Sequence, residues 1–198
     1  LVSAKLLVEA AVEDAKAGRP AEARLGGALA RLNDALVEVR GISHRLRPAL
    51  LDTLGLPSAL AHLSDETAEA LGVPIAAHTT GIPRALPDAL NTVLFRIAQE
   101  AFANVAKHAR ATQVELALSF DEDGGVSLSI TDDGVGFDLP AVQLDPRRGL
   151  GLRSMRERLE PLGGVLEIDS RPGHGTQVMA AVGAREVQAL TVRADPPG

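Results

Sequence analysis

Apolar positions recur along the chain with two different periods, and the switches between them divide it into elements. In residues 1–17, Ala4, Leu7, Ala11 and Ala15 share one helical face, and Gly18-Arg19-Pro20 breaks the run. Beyond the break, Leu25, Ala28, Leu32, Ala35, Val39, Ile42 and Leu46 follow at alternating steps of three and four, a heptad seam that predicts a second, longer helix. Two helices joined by a tight turn cannot bury such seams alone. Pairing with a second copy into a four-helix bundle is the expected solution, with a hairpin packed on its own domain as the alternative. Pro48 ends the seam, and residues 49–55 read as a linker.

The pattern then changes. Pro57 stands at a first helical position and predicts a short helix to about Leu71, stopped by Gly72. Val73–Thr79 reads as a strand, and Pro87-Asp88 opens a long helix running to about Arg110. Val114–Phe120 and Val126–Thr131 alternate apolar and polar residues and are joined as a hairpin by Asp121-Glu122-Asp123-Gly124-Gly125. A helix from about Leu150 to Leu162 precedes a last strand pair, Val165–Ser170 and Gln177–Val182, across Arg171-Pro172-Gly173-His174-Gly175. Residues 184–198 read as a frayed tail. The fold class is α+β: over residues 56–183 a two-layer α/β sandwich, a mixed sheet with helices on one face, preceded by a helical hairpin over 1–48.

Composition narrows what this fold can do. With 45% apolar residues the chain can build a core, but four Phe and no Tyr or Trp leave the packing to Leu, Ala and Val. A formal charge of −6 without a Lys/Arg block argues against a nucleic-acid groove. The absence of cysteine excludes disulfides, thiolate zinc sites and cysteine nucleophiles, and suits a reducing cytoplasm. No apolar stretch approaches the roughly 20 residues of a membrane span, and Leu1–Ala17 lacks a signal peptide's pattern. The opening Leu-Val-Ser-Ala-Lys-Leu-Leu has neither Met nor cap and reads as a cut through a helix.

Four features carry candidate chemistry. On the long helix, about 100° per residue puts Glu100 at 0°, Asn104 near 40° and His108 near 80°, inside the arc marked as buried by Val93, Ile97, Ala101 and Val105. A polar stripe on a buried face needs a polar cover, either neighbouring loops or a ligand. Next, Thr131-Asp132-Asp133-Gly134-Val135-Gly136-Phe137 places acidic residues at a strand end before two alternate glycines. Such backbone admits a planar ligand closely, and a carboxylate accepts from an exocyclic amine such as that of adenine, although Asp-Gly pairs also mark ordinary turns. Third, Arg147-Arg148-Gly149-Leu150-Gly151-Leu152 leads into a helix, offering free N–H groups to phosphate without being a Walker A loop. The polar stretch Asp138–Arg147 before it suits a mobile lid. Fourth, Gly173-His174-Gly175-Thr176 brings a hydroxyl to the start of the last strand.

Taken in order, these features resemble the ATPase superfamily of gyrase, heat-shock chaperones, histidine kinases and mismatch-repair proteins. The run Leu94-Phe95-Arg96-Ile97-Ala98-Gln99-Glu100-Ala101-Phe102-Ala103-Asn104-Val105-Ala106-Lys107-His108-Ala109 is similar to the N box of the nitrate/nitrite-sensor-like histidine kinases. Ser43-His44-Arg45-Leu46-Arg47-Pro48 and Leu54-Gly55-Leu56 resemble the same branch's join between dimerisation hairpin and catalytic domain. The resemblance implies a Bergerat-type ATP-binding fold and a role for each matching position. Asn104 would ligate Mg²⁺, Glu100 would be the general base, and Lys107 or His108 would touch phosphates. Asp132 would bind the adenine amino group with Gly134 and Gly136 giving clearance. Arg148, Gly149 and Gly151 would line the triphosphate, and Thr176 would help hold the adenine.

It also implies phosphoryl transfer from ATP to a histidine on the dimerisation helix, then to an aspartate of a response regulator with a helix-turn-helix output domain. The cofactors are ATP and Mg²⁺, the assembly a homodimer through the hairpin, the setting cytoplasmic, without direct contact to nucleic acid or membrane. The acceptor histidine of that branch sits beside an acidic residue, and none of His44, His62, His78, His108 or His174 does. It is expected just before Leu1, leaving this chain without its own acceptor. Two rivals stand beside this reading: an anti-sigma-factor-type serine/threonine kinase of the same fold, and a non-catalytic dimerisation module with a decayed ATP site.

Overall fold

The computed structural model describes residues 10, 12, 14, 49–144 and 149–194. The chain divides into two units, Leu1–Arg47 and Pro48–Gly198. In the first, Ala10, Val12 and Asp14 are helical, and the heptad seam from Leu25 to Leu46 lies outside the described residues.

The second unit opens with helix α1 (Ala49–Leu71). The stretch expected as a linker is therefore helical up to Gly55, and Leu51 is buried in the core. Only Gly55 leaves helical geometry, at φ 74° and ψ 171°, a conformation open to a residue without Cβ. Pro57, whose ring presets a helical φ, starts the second segment. Strand β1 (Ile75–Thr80) follows, then helix α2 (Asp88–Asn104). Leu90, Leu94, Ile97 and Ala101 step by three and four along α2, Val105 continues the row just past its end, and all are buried. Pro87 precedes the helix and Asp88 places a carboxylate at its positive end.

The predicted long helix does not stay α to Arg110. Val105–Ala109 form a π-helical turn, and Arg110 ends it in the left-handed region at φ 51°. Strands β2 (Val114–Phe120) and β3 (Val126–Asp132) make the expected hairpin. A short helix α3 (Leu139–Leu144) occupies part of the stretch expected to be irregular. Helix α4 (Leu150–Leu159) ends in a 3₁₀ turn at Glu160–Leu162, and β4 (Val165–Ser170) pairs with β5 (Thr176–Val182).

The five strands order as β1-β2-β3-β5-β4. β1 and β2 run parallel, which the crossover through α2 permits, and every other pair is antiparallel. Val114, Leu116, Leu118 and Phe120 of β2 and Val126, Leu128 and Ile130 of β3 are buried on one face against the helices. The opposite face carries Glu115, Ser119, Ser127, Ser129, Thr131 and Gln177, as an antiparallel sheet open to water on one side requires. The two-layer α+β reading holds. No described helix is long and apolar enough to cross a membrane.

The tail is a second departure. Residues Ala184–Ala194 form helix α5 rather than fraying, and Val187 is buried against the core with Leu190 packed partly against it. The ordering comes from this apolar pair three residues apart on one face. Val187→Ala should therefore cost about 1–2 kcal/mol, from two methyl groups at ~0.8 kcal/mol each. Val192→Ala, on a residue 63% exposed, should stay within about 0.5 kcal/mol of wild type. Chemical denaturation of the two variants checks both, and equal losses would mean that α5 does not pack as described.

Candidate functional site

Sheet register builds the floor of a cleft. Asp132 is paired with Thr176, and Thr176 with Ser170, across the adjacent strands β3, β5 and β4. Residues paired across a sheet share a face, so three oxygen-bearing side chains end the same inner rows that Ile130, Val178 and Ile168 continue. Asp132 and Ser170 are each 8% exposed.

Loops close around this end of the sheet so tightly that only glycine fits. A Cβ on Gly134 would meet the Ala109 carbonyl, one on Gly136 the Arg171 and Gly175 carbonyls, and one on Gly175 the Asp132 carbonyl. Gly136 and Gly175 also hold positive φ, at 56° and 71°. Backbone bonds lock the loops together: Val135 N–H donates to Ala109 O at 2.7 Å, and Gly173 N–H to Val135 O at 2.6 Å.

The opposite wall comes from α2 and its π turn. Glu100 and Asn104 are half-buried one turn apart, while Lys107 and His108 are exposed. The wheel expectation that placed His108 in the buried arc fails because the i→i+5 turn holds an extra residue and rotates the positions beyond it. Both Lys107 and His108 line the cleft, where the resemblance had offered one or the other. Among the described residues, no hydrogen bond or ion pair engages the side chains of Glu100, Asn104, Lys107 or His108.

The N-terminus of α4 completes the site. Gly149, at φ 65°, is its N-cap without a side-chain cap bond, so the first-turn N–H groups stay available. A Cβ on Gly151 would strike Glu100 Oε1, and one on Gly149 would lie 3.0 Å from Val142 of α3. The resulting cleft measures about 660 Å³. Glu100, Asn104, Lys107, His108, Asp132, Gly136, Gly149, Gly151 and Thr176 all line it. Gly134 lies behind the wall against Ala109, and Arg148 lies outside the described residues.

The geometry has counterparts elsewhere. The family of histidine kinase-, DNA gyrase B-, and HSP90-like ATPases matches residues 90–185, the span that builds the cleft. The sensor histidine kinase MctS of Rhizobium johnstonii is 41% identical over 139 residues, 70% of this chain and 30% of that protein. The oxygen sensor histidine kinase NreB of Staphylococcus carnosus is 35% identical over 160 residues, 80% of this chain and 44% of that one. The chain carries the ATPase domain of the sensor histidine kinases. It spans less than half the length of these two relatives. The histidine kinase domain of a blue-light activated histidine kinase from Erythrobacter litoralis shares the fold, with a TM-score of 0.58 at 20% identity over 68% of each chain.

Within this histidine kinase ATPase domain, the two adjacent aspartates are in opposite electrostatic settings. Burial pushes the Asp132 carboxyl above the ordinary range, helped by the neighbouring Asp133 charge and opposed by the Gly134 and Thr176 backbone N–H groups. The Gly134 bond to Asp132 Oδ1 is 2.9 Å. Asp133 is exposed, and the Thr112 hydroxyl, then the Gln113 and Thr112 backbone N–H groups, hold its carboxyl below that range. Asp133 thus fixes the loop after the π turn, and Asp132 alone faces the cleft.

Among the described residues no group of three His, Asp or Glu could hold a metal by itself. Glu100 and Asn104 offer side-chain oxygens one turn apart, which fits a Mg²⁺ that arrives with phosphates and keeps several waters.

Sequence reasoning missed Ser170, Phe137 and the apolar walls from Val142, Leu150 and Leu152. Ser170 was detectable: it continues the buried phase of Leu166 and Ile168 as a polar residue.

The Asp132 shift has a definite sign. A carboxyl raised above its unfolded value contributes its full stability below the unfolded pKa, and that stability is lost as pH rises through the folded value. Asp132→Asn removes the titration while keeping an acceptor for Gly134. The variant, without nucleotide, should match wild type near pH 4 and become the more stable protein toward pH 8, with the Asp133 contribution cancelling. Denaturant unfolding at the two pH values checks this, and a variant less stable at pH 8 would contradict the buried-carboxylate assignment.

Proposed function

We propose that the cleft binds ATP with Mg²⁺ and directs the γ-phosphate to a histidine of the dimerisation hairpin, from which a response-regulator aspartate receives it. The observation that carries this reading is Asp132: a buried carboxylate, raised in pKa, facing a cleft whose walls are backbone at glycine. Such a group is retained at a cost to stability when a ligand supplies its donor.

Asp132 would accept from the adenine amino group, with Thr176 beside it and Gly136 giving clearance. Gly134 serves indirectly, letting the loop pass Ala109. The phosphates would run toward the N-terminus of α4, where Gly149 and Gly151 leave N–H groups free and Lys107 and His108 add positive charge. Arg148 precedes this turn in sequence and is assigned to the same phosphates. Asn104 would hold Mg²⁺, which neutralises phosphate charge when bound. Glu100, half-buried and free of hydrogen-bond partners among the described residues, would take the proton of the attacking imidazole. Transfer then depends on positioning and on charge already in place more than on covalent help from this domain.

The names of the relatives favour a histidine acceptor over serine or threonine, and the nine expected residues from Glu100 to Thr176 that line the cleft argue against a decayed site. Dimerisation through residues 1–48, a helix-turn-helix response regulator and a cytoplasmic setting belong to the same proposal.

Titration calorimetry with Mg-ATP tests it. Asp132→Asn should weaken binding by roughly 10- to 150-fold, the equivalent of about 1.5–3 kcal/mol for a hydrogen bond to a charged group. Glu100→Gln should bind ATP like wild type yet lower phosphotransfer to a histidine-bearing hairpin about 10²–10⁴-fold. Unchanged affinity in Asp132→Asn would remove adenine from that end of the cleft. Full activity in Glu100→Gln would place the base elsewhere.

A further inference from the structure

Ser170 is the last residue of β4, buried beneath the cleft and absent from its lining. Its hydroxyl oxygen accepts from Phe137 N–H at 2.9 Å. The same hydroxyl lies 3.0 Å from Gly175 O, to which it donates, and 3.0 Å from Thr176 Oγ1. One oxygen thus joins two loops far apart in sequence. The first is the β3–α3 loop, whose Gly136 and Phe137 line the cleft just before the short helix α3. The second is the β4–β5 turn, which ends at Thr176, also on the wall.

We infer that Ser170 is a positioning residue for nucleotide binding, a clasp that holds the Gly136–Phe137 wall against Thr176 at the spacing a planar base requires. The inference rests on reading the cleft as a nucleotide site. Register explains why the serine can do this: it is paired with Thr176, itself paired with Asp132, so the clasp lies in line with the carboxylate. The contacts that hold the wall are few and directional. A hydroxyl can accept and donate at once, and neither alanine nor an aliphatic side chain replaces both functions. With the clasp gone, Phe137 N–H and Gly175 O lose a partner in a buried setting, and the Gly173 N–H bond to Val135 O is left to hold the two loops together further from the cleft wall. Because Ser170 touches neither phosphates nor the base, its removal should weaken ATP and ADP alike.

The test compares Ser170→Ala and Ser170→Thr with Ser64→Ala. Ser64 is a buried serine bonded at 2.9 Å to Leu60 O within α1 and takes no part in the cleft. Affinities for Mg-ATP and Mg-ADP are measured by calorimetry below the unfolding range, and amide exchange at Phe137 by NMR. Ser170→Ala should lose about tenfold in affinity for both nucleotides, the scale of one lost hydrogen bond, and speed exchange at Phe137 at least tenfold. Ser170→Thr, which keeps the hydroxyl, should recover most of both losses, and Ser64→Ala should lose stability without losing affinity. Should Ser170→Ala fail to fold, Ser170→Cys fills the same space with a weak donor and carries the same expectation.

Wild-type affinity in Ser170→Ala, or equal affinity losses in Ser64→Ala, would overturn the inference. If wild type binds no ATP, the nucleotide reading fails instead, and faster Phe137 exchange in Ser170→Ala still reports the clasp on its own.

Discussion

A carboxylate held in a nearly dry place at the end of a sheet sets the terms for the rest of this domain. Asp132 closes the inner row of β3, where the strand's alternation would otherwise place an apolar residue beside Val114 and Thr176. Burying it is unfavourable, and the local backbone answers only in part, through Gly134 and Thr176. The glycines around it reflect the same constraint. Carbonyls of Ala109, Arg171, Gly175 and Asp132 come so near the loop backbone that a Cβ would collide at Gly134, Gly136 and Gly175. Close backbone packing shields the carboxylate from water on the core side and leaves its other side to the cleft.

The π turn is the complementary device on the opposite wall. On a regular helix from Asp88 to Arg110, Lys107 would fall about 20° to one side of Glu100 and His108 about 80° to the other, within the buried arc. In the widened turn at Val105–Ala109, Lys107 and His108 both line the cleft and the Ala109 carbonyl accepts from Val135 N–H. The left-handed Arg110, whose φ of 51° is unusual for a residue with a side chain, ends the turn. Asp133 then ties down Thr112 and Gln113, just beyond it. Adjacent aspartates therefore serve different ends, one holding the frame and one facing the ligand.

Much of this was legible in the sequence because burial writes a period into the chain. The alternation in Val114–Phe120 and Val126–Thr131 and the helical spacing of Val93, Ile97, Ala101 and Val105 pointed directly to the sheet hairpin and the central helix. The order of acidic helix, Asp-Gly loop, Gly-x-Gly and Gly-x-Gly-Thr was enough to locate the cleft. What stayed hidden depends on interactions without a period. The π turn arises from a shift of backbone hydrogen bonds, and no residue in Val-Ala-Lys-His-Ala announces it. Residues 49–54 lost their helical signal to Gly55, and helix α5 was masked by the proline-rich end beyond it. Asp132 continues the buried phase of β3, whereas the role of Asp133 emerges only from its bonds to Thr112 and Gln113. The roles of Glu100 and Asn104 came from resemblance, since the pattern alone left buried loop contacts equally open.

The central claim is that Asp132 is held in an unfavourable setting for a donor that nucleotide provides. An NMR titration of the Asp132 side-chain carbon, with and without saturating Mg-ATP, tests it most directly. The carboxyl should titrate above the ordinary aspartate range in the free protein and fall on ATP binding, because a hydrogen bond to the ionised form favours it. A titration that ATP leaves unmoved, or moves upward, would contradict the account.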